Sequence, residues 1–327
     1  MVLYPWLTQA QVSFTNTPIA SLDTPPVVVE TGPHHRVWQR VVSDGLGRFV
    51  TNSFTELATG LNYYNQATRR YEESQEAFTI TADGHAVAQK GQHRVAISPA
   101  LNDSNGAVDL ETPDGKHLRS TILGINLHDR LTGKNLLIGE LTNSLGELIA
   151  PNQVLFRNCF DSLDADVRLT YERGAFHQDV VLREAPDLDQ LAVLGFSVKN
   201  TRLEIWTEFF TPPAPKITTT VVESETDPAL RSQMAEPDVV EERLDFGLMD
   251  MPSGKAYLQE GQSAEPVPVL KQWLQISGRT FLVESIDLPA LEPLLASLRT
   301  PNSTVAARAK RLDRFYAHRQ APITSFG

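Results

Sequence analysis

The stretch Phe-Thr-Ile-Thr-Ala-Asp-Gly-His-Ala-Val-Ala-Gln-Lys-Gly-Gln-His-Arg-Val-Ala-Ile, residues 78–97, decides the fold class of this chain. Short runs of β-forming residues alternate in it with two turn signals, Asp83-Gly84 and Gly91. Glycine supplies the positive φ that a tight hairpin requires, and Asp-Gly is among the strongest short hairpin signals. The stretch therefore predicts antiparallel strands joined by tight turns.

The same pattern continues as far as Leu182 with hardly a helical interval. Further turn signals stand at residues 112–115, 131–134, 143–146 and 172–174. We therefore predict that residues 78–182 form one antiparallel sheet system with no helix longer than two turns. The predicted fold class is mostly β, with antiparallel β-sandwich or meander units and a short C-terminal helical tail.

The remaining strands and helices are predicted from turn and capping signals. Hairpins are expected at 37–54, 61–72, 244–259 and 267–286, an edge strand at 27–29 and a strand at 203–209. Pro293 is expected to forbid an uninterrupted helix from Leu288 and to sit in the first turn of a short helix. A second helix is predicted at 304–318, where apolar residues form one narrow stripe.

These elements suggest a division of the chain into four parts. They are an extended N-terminal segment (1–26), an antiparallel β domain (27–183), a second β unit (184–287) and the helical tail (288–327). Within the second unit, residues 223–238 hold a strong excess of acidic side chains. We predict that this acidic stretch is a mobile surface loop.

Composition limits the possible partners. The chain has 327 residues and a net charge of −11, which opposes binding to a phosphate backbone, so no nucleic-acid partner is expected. No apolar run approaches the ~20 residues that span a bilayer, and membrane insertion is not expected. Residues 1–14 lack the pattern of a signal peptide, so a cytoplasmic location stays open. Cys159, the only cysteine, is flanked by apolar residues and is predicted to be buried.

Four groups of residues carry weak signals for chemistry, and for each the structural interpretation is favoured. Adjacent His34 and His35 face opposite sides of a strand, while His85 and His93 could face each other across a hairpin. Carboxylates that could attract calcium are Asp161, Asp164 and Asp166, with a similar cluster in the turn at 102–106. A platform for a sugar ring could be built from Trp38, Tyr63, Tyr64 and Tyr71. His177, Asp179 and Arg183 alternate along a strand in the manner of a solvent-facing surface.

Several segments of the chain resemble the N-terminal β-rich region of large, uncharacterised secreted bacterial proteins. The resemblance spans about residues 27–298 and rests on segments such as 28–38, 57–71, 178–183 and 278–284. Some of those proteins carry downstream modules of the Rhs or laminin-G-like kind. The resemblance implies an exported β-rich module and an extracellular or cell-envelope location, and it names no catalytic residue.

The sequence therefore leads to two hypotheses about function. The first is a non-catalytic structural or interaction module of an extracellular or envelope-associated bacterial protein, whose partner is a protein or a cell-surface component. The alternative is a carbohydrate-active β-sandwich that binds or cleaves a polysaccharide. We assign no catalytic, cofactor-binding or metal-ligating residue and expect no cofactor.

Overall fold

The computed structural model describes residues 25–44, 46, 48–258 and 265–298, and most of them lie in strands. The strands are β1 (Val27–Thr31), β2 (His35–Ser43), β3 (Phe49–Leu57), β4 (Asn62–Asn65), β5 (Arg70–Glu73), β6 (Thr79–Ile80), β7 (Ala86–Ala88), β8 (Arg94–Ile97), β9 (Val108–Glu111), β10 (His117–Asp129), β11 (Lys134–Glu140), β12 (Gly146–Ala150), β13 (Gln153–Phe156), β14 (Ala165–Glu172), β15 (Ala175–Leu182), β16 (Thr201–Phe210), β17 (Lys216–Ser224), β18 (Asp238–Asp245), β19 (Asp250–Met251), β20 (Gly254–Ala256), β21 (Val267–Ile276) and β22 (Arg279–Asp287). The helices are α1 (Asp189–Val193), α2 (Pro228–Arg231) and α3 (Leu288–Leu295), with a 3₁₀ turn at Val198–Asn200. This confirms the mostly β fold class.

The strands form five antiparallel sheets in the described part of the chain. The largest has ten strands in the order β20-β21-β22-β16-β10-β9-β8-β7-β6, with β11 also paired to β10. A four-stranded sheet has the order β12-β13-β14-β15, and two three-stranded sheets have the orders β1-β2-β3 and β17-β18-β19. Strands β4 and β5 form a separate hairpin. Residues 78–182 thus contain no described helix, as predicted, but they contribute to two sheets and not to one.

The long strand β10 holds the ten-stranded sheet together. Its first residues pair with β9, its last residues pair with β11, and almost its whole length pairs with β16 on the other side. Gly124 lies where the partner of β10 on this side changes from β9 to β11. It comes so close to β11 that a Cβ atom there would lie 2.5 Å from the carbonyl oxygen of Gly139. Only glycine allows two backbones to approach so closely.

The core lies between the ten-stranded and four-stranded sheets. Ile122 and Ile125 of β10 belong to the same buried cluster as Leu169 and Tyr171 of β14. The predicted division at 183/184 separates strands that the structure places in one sheet, because β10 pairs with β16 across that position. The hydrophobic alternation of β10 and β16 is what joins the two halves, since both strands bury apolar residues in the shared core.

The acidic stretch at 223–238 connects β17 to β18. It starts at the end of β17 and contains helix α2, which is capped by the side chain of Asp227. Arg231 then pairs with Asp238 at the start of β18. The stretch therefore has more secondary structure than the sequence predicts, and its mobility stays a prediction.

Helix α3 corrects the expectation for the C-terminal tail. It begins at Leu288 and continues through Pro293, with Pro289 in its first turn. Its buried face consists of Leu288, Leu291, Leu294 and Leu295. A proline inside a helix costs about 3 kcal/mol, whereas full burial of each leucine contributes ~1.5–3 kcal/mol, so burial outweighs the lost hydrogen bond.

Other predicted elements have mixed outcomes. The hairpins at 37–54, 61–72 and 267–286, the edge strand at 27–29 and the strand at 203–209 are present. The hairpin predicted around residues 252–254 is not formed, since β19 pairs with β18 while β20 pairs with β21. Most of the segment 1–26 and the helix predicted at 304–318 lie outside the described residues. Among the residues that are described, no helix has the length and apolarity needed to cross a membrane.

Candidate functional site

The structure divides the predicted aromatic platform between two sheets. Trp38 stacks on Phe54 in the β1-β2-β3 sheet, with ring centroids 6.0 Å apart. Tyr64 and Tyr71 face each other across the β4–β5 hairpin, 5.4 Å apart and edge to face. The hydroxyl of Tyr63 donates to Glu72 Oε2 at 3.0 Å on the opposite side of that hairpin. Tyr64 and Tyr71 therefore share one face of the hairpin and Tyr63 lies on the other, so the structure does not bring the four aromatic residues together.

The adjacent histidines His34 and His35 point to different partners. His34 Nδ1 accepts a hydrogen bond from the backbone N–H of Gly60 at 3.1 Å. His35 Nε2 lies 3.2 Å from the carboxylate of Glu30. They hold the chain entry to β2 and the turn before β4 in place.

His85 and His93 do not face each other. His85 Nδ1 lies 3.1 Å from Asp83 in an exposed turn. His93 is buried, with its ring 4.8 Å from that of Tyr171, whose hydroxyl donates to the His93 carbonyl oxygen. Burial lowers the pKa of His93 to about 4, so its imidazole is neutral at physiological pH.

The three residues considered for calcium are engaged separately, and the backbone N–H of Asp164 donates to Glu184 Oε1 at 3.2 Å. Asp161 Oδ1 accepts from the backbone N–H of Glu140 at 3.0 Å, whereas Asp166 Oδ2 pairs with Arg183 Nη2 at 2.7 Å. Within the described ranges, no group of three or more His, Cys, Asp or Glu residues could hold a metal ion. In the 102–106 turn, Asp103 accepts from the N–H of Asn105, which is ordinary turn chemistry.

Cys159 is fully buried, as predicted. Its Sγ lies 3.6 Å from the carbonyl oxygen of Ala165, and burial raises the pKa of the thiol to about 12. The thiolate that a nucleophile needs is therefore strongly disfavoured here.

The strand bearing His177 and Asp179 is not solvent-facing, which corrects the interpretation of its alternating pattern. His177 is only 6% exposed and Asp179 only 1%. Asp179 Oδ2 accepts two hydrogen bonds from Arg168 of β14, at 3.0 and 3.1 Å. Polar alternation identified which residues share a face of β15, but it could not show that other parts of the protein cover that face.

A group of buried charges lies nearby, on β18, β21 and β22. Lys271 is 2% exposed, and its Nζ donates to Glu241 Oε1 at 2.9 Å. Glu284 stands opposite Lys271 in the β21–β22 pair. Desolvation raises the pKa of Glu284 to about 7, while Lys271 lowers it and Asp179 raises it further. Being enclosed, these groups have no visible route to a substrate, and we assign them to stability.

The sheet β1-β2-β3 exposes an unusual number of large apolar side chains. They are Val27, Val28, Val29, Val41, Phe49, Val50, Phe54 and Leu57. Every residue of β3 except Glu56 is exposed. Apolar side chains gathered on one exposed sheet indicate a surface for association.

The edge strand β3 also lacks the devices that normally protect such edges. Proline, lysine and β-bulges usually blunt an edge strand. Strand β1 has a bulge between Val28 and Glu30, and β17 has Lys216 at its start and a bulge between Val221 and Glu223. By contrast, β3 pairs with β2 over nine residues without a register shift and contains neither proline nor lysine.

A cleft of about 450 Å³ lies between the β4–β5 hairpin and the outward face of β8, β9 and β10. Its wall includes Tyr63 and Tyr64, and its floor includes Arg94, Asp109, Glu111 and His117. The floor residues share one face because Arg94 is opposite Glu111, and Glu111 is opposite His117, in the strand register. The residues between them, such as Val95 and Leu110, face the core.

The cleft floor was missed from the sequence, although a signal exists. Arg94, Asp109, Glu111 and His117 each read as a solvent-facing position of a separate strand. Only the hairpin register places them side by side. Pairing β8, β9 and β10 through their turns would have found this polar face.

A second polar group anchors the acidic stretch. Buried His128, Arg130 and Arg202 lie on or next to β10 and β16. His128 Nε2 is 2.9 Å from Glu236 Oε1, and Arg202 Nη1 is 3.7 Å from Glu236 Oε2. Arg130 Nη1 is 3.5 Å from Glu223. This basic group holds the β17–β18 connection against the large sheet.

Comparison with known proteins adds no family to this description. The chain was compared with protein-family models, with curated protein sequences and with solved structures, and none of the three comparisons found a match.

Proposed function

We propose that this chain is a non-catalytic interaction module of an extracellular or envelope-associated bacterial protein, and that β3 is the strand through which it associates. The extracellular location is supported by the sequence resemblance to secreted bacterial proteins. The association is supported by the edge of β3, which is exposed and pairs with no further strand among the residues that the structure describes. That edge is the observation that carries the proposal.

The partner that fits this edge is β3 of a second copy. An edge strand recruits another strand through its free backbone groups, and identical strands pair antiparallel about a two-fold axis. On one face of the strand, pairing about Ser53 would place Phe49 opposite Leu57 and Thr51 opposite Thr55, so that like side chains meet. On the other face, Val50 would lie opposite Glu56 and Asn52 opposite Phe54. The two sheets would then form one continuous six-stranded sheet.

Electrostatics do not oppose this pairing. The single ionisable side chain of β3 is Glu56. Its Oε2 accepts from Trp38 Nε1 at 3.0 Å and lies 3.8 Å from Arg36 Nη1. The carboxylate is therefore compensated within its own sheet, and no unpaired charge opposes the approach of a second edge.

The oligomeric state tests the proposal. Sedimentation velocity of the wild-type chain is expected to show a concentration-dependent dimer. Ser53→Lys would place two ammonium groups against each other at the two-fold axis and is expected to give a monomer. Thr219→Lys is the matched control, since Thr219 lies on the exposed strand β17, and this variant should still form the dimer.

A wild-type chain that stays monomeric at all concentrations would contradict the proposal. So would a Ser53→Lys variant that dimerises as the wild type does. Circular dichroism of each variant checks that the fold is kept, so a monomer can be attributed to the lost edge contact.

A further inference from the structure

The cleft between the β4–β5 hairpin and the β8-β9-β10 face combines an aromatic wall with a polar floor. Tyr64 is 44% exposed, so its ring is available to a ligand. Tyr71, its cross-strand partner, packs against it edge to face at 5.4 Å. A ring fixed in this way can pack on a flat apolar surface at little cost in side-chain entropy.

The floor presents both donors and acceptors in fixed positions. Arg94 Nη1 lies 3.2 Å from both carboxylate oxygens of Glu111. His117 Nδ1 lies 2.9 Å from Asp109 Oδ1. Both pairs are partly open to solvent, with side-chain exposures of 50% and 28% for the first and 54% and 34% for the second. Each pair therefore keeps hydrogen-bonding capacity for a ligand.

From this arrangement we infer that the cleft binds a neutral oligosaccharide built of pyranose units. A pyranose ring has an apolar face of C–H groups that can pack on Tyr64. Its hydroxyl groups donate to carboxylates such as Glu111 and accept from a guanidinium such as Arg94. Charge-assisted hydrogen bonds of this kind are about twice as strong as neutral ones.

The charges of the floor select against other ligands. Asp109 and Glu111 set two negative charges against the one permanent positive charge of Arg94. An acidic sugar or a nucleic acid would meet these carboxylates on a chain whose net charge is −11. The volume of about 450 Å³ lies within the ~300–1,000 Å³ of small-molecule sites, which suits a short segment of a sugar chain.

Two pairs of variants test the site. Tyr64→Ala removes the exposed ring of the cleft wall, and its control is Leu148→Ala, which removes an exposed apolar side chain of β12 outside the cleft. Glu111→Gln removes a floor carboxylate. Its control is Glu147→Gln, which changes an exposed carboxylate of β12 that pairs with Arg157 and lies outside the cleft.

Affinity electrophoresis of the full chain measures binding. The gels contain dextran, laminarin, galactomannan or xyloglucan as neutral probes and alginate as the acidic probe. The wild type is expected to be retarded by at least one neutral polysaccharide and not by alginate. Tyr64→Ala and Glu111→Gln should each weaken that interaction at least about tenfold, the change that corresponds to losing one good contact. The two controls should bind within about twofold of the wild type.

The inference would be overturned if no neutral polysaccharide retarded the wild type. It would also be overturned if alginate bound best, or if Tyr64→Ala and Leu148→Ala weakened binding equally. Thermal unfolding of each variant confirms that a loss of binding is not a loss of fold.

Discussion

Among single residues, Glu284 has the most unusual environment. It is 6% exposed, and desolvation raises its pKa to about 7 from an ordinary value of 4.5. Lys271 opposite it limits this rise, but Lys271 is already hydrogen-bonded to Glu241 at 2.9 Å. The folded protein thus holds a proton on Glu284 that the unfolded chain releases.

The pH dependence of stability follows from this proton. Between pH 4.5 and 7 the unfolded chain binds fewer protons at this position, so the contribution of Glu284 to stability falls as pH rises, by about 3 kcal/mol in all. Glu284→Gln cannot ionise and is expected to avoid this loss. Urea unfolding should show that, between pH 4.5 and pH 8, the free energy of unfolding of the variant rises by about 3 kcal/mol relative to that of the wild type.

An exposed carboxylate supplies the control for this measurement. The free energy of unfolding of Glu147→Gln should change with pH as that of the wild type does, because Glu147 is largely exposed. If Glu284→Gln also ran parallel to the wild type, Glu284 would not be protonated in the fold.

The sequence could predict the burial of Cys159 but not that of Asp179 or Glu284. Cys159 stands among apolar neighbours, so the local pattern was sufficient. Asp179 lies beside His177 and Gln178 in a strand that the sequence indicates to be solvent-facing, and Glu284 belongs to a residue type that is rarely buried. Their burial comes from contacts between sheets that are distant in sequence, and no local pattern records those contacts.

At the scale of single elements, α3 shows how tertiary burial overrides a local signal. Pro293 is inside the helix, and its ring is exposed, while four leucines on the other face are buried. The proline cannot donate the backbone hydrogen bond to the carbonyl of Pro289, four residues earlier. The helix forms because its buried face compensates this loss.

Replacing this proline should stabilise the protein. Pro293→Ala restores the backbone donor and a favourable helix residue at an exposed position, which we expect to raise the free energy of unfolding by ~1–2 kcal/mol. Leu291→Ala in the same helix is expected to lower it by ~2–5 kcal/mol. Urea unfolding of both variants provides the comparison, and a loss of stability in Pro293→Ala would show that the ring itself stabilises α3.

Hairpins were the elements best predicted from sequence. The turn at Ser277-Gly278 correctly joined β21 to β22, since both residues have positive φ in the structure. The turn signal at 252–254 was misleading, because β20 finds its partner in β21 after the strand, not in β18 before it. Turn residues show where a chain reverses, but partners beyond the next strand depend on the whole fold.

At the scale of the whole molecule, the acidic β17–β18 connection is held by the buried basic group of His128, Arg130 and Arg202. The hydrogen bond to Glu236 is the main cause that raises the pKa of His128, and the same bond lowers the pKa of Glu236. Glu204 and Asn135 act on His128 in the same direction, while desolvation opposes them. The contact is therefore pH-dependent.

The contributions of His128 and Glu236 to stability change with pH in opposite directions. The contribution of His128 is complete below its ordinary pKa of 6.5 and is lost as pH rises through its higher folded value. The contribution of Glu236 is complete above 4.5 and is lost as pH falls through its lower folded value. We expect the difference in Tm between the wild type and His128→Gln to be largest at about pH 4.5–6.5 and to shrink towards pH 8.5.

A different histidine serves as the control for that experiment. His85→Gln, whose side chain is 38% exposed beside the largely exposed Asp83, should differ little from the wild type at any of these pH values. A pH-independent difference for His128→Gln would contradict the coupling to Glu236.

The ten-stranded sheet has a consequence for how the chain is synthesised. Strand β10 ends at Asp129, but the neighbour that covers its long side, β16, begins only at Thr201. Until β16 emerges from the ribosome, the backbone groups along that side of β10 are open to any passing strand. The high contact order of this sheet makes slow folding the expected behaviour, and a nascent chain paused before Thr201 would be at its most prone to aggregate.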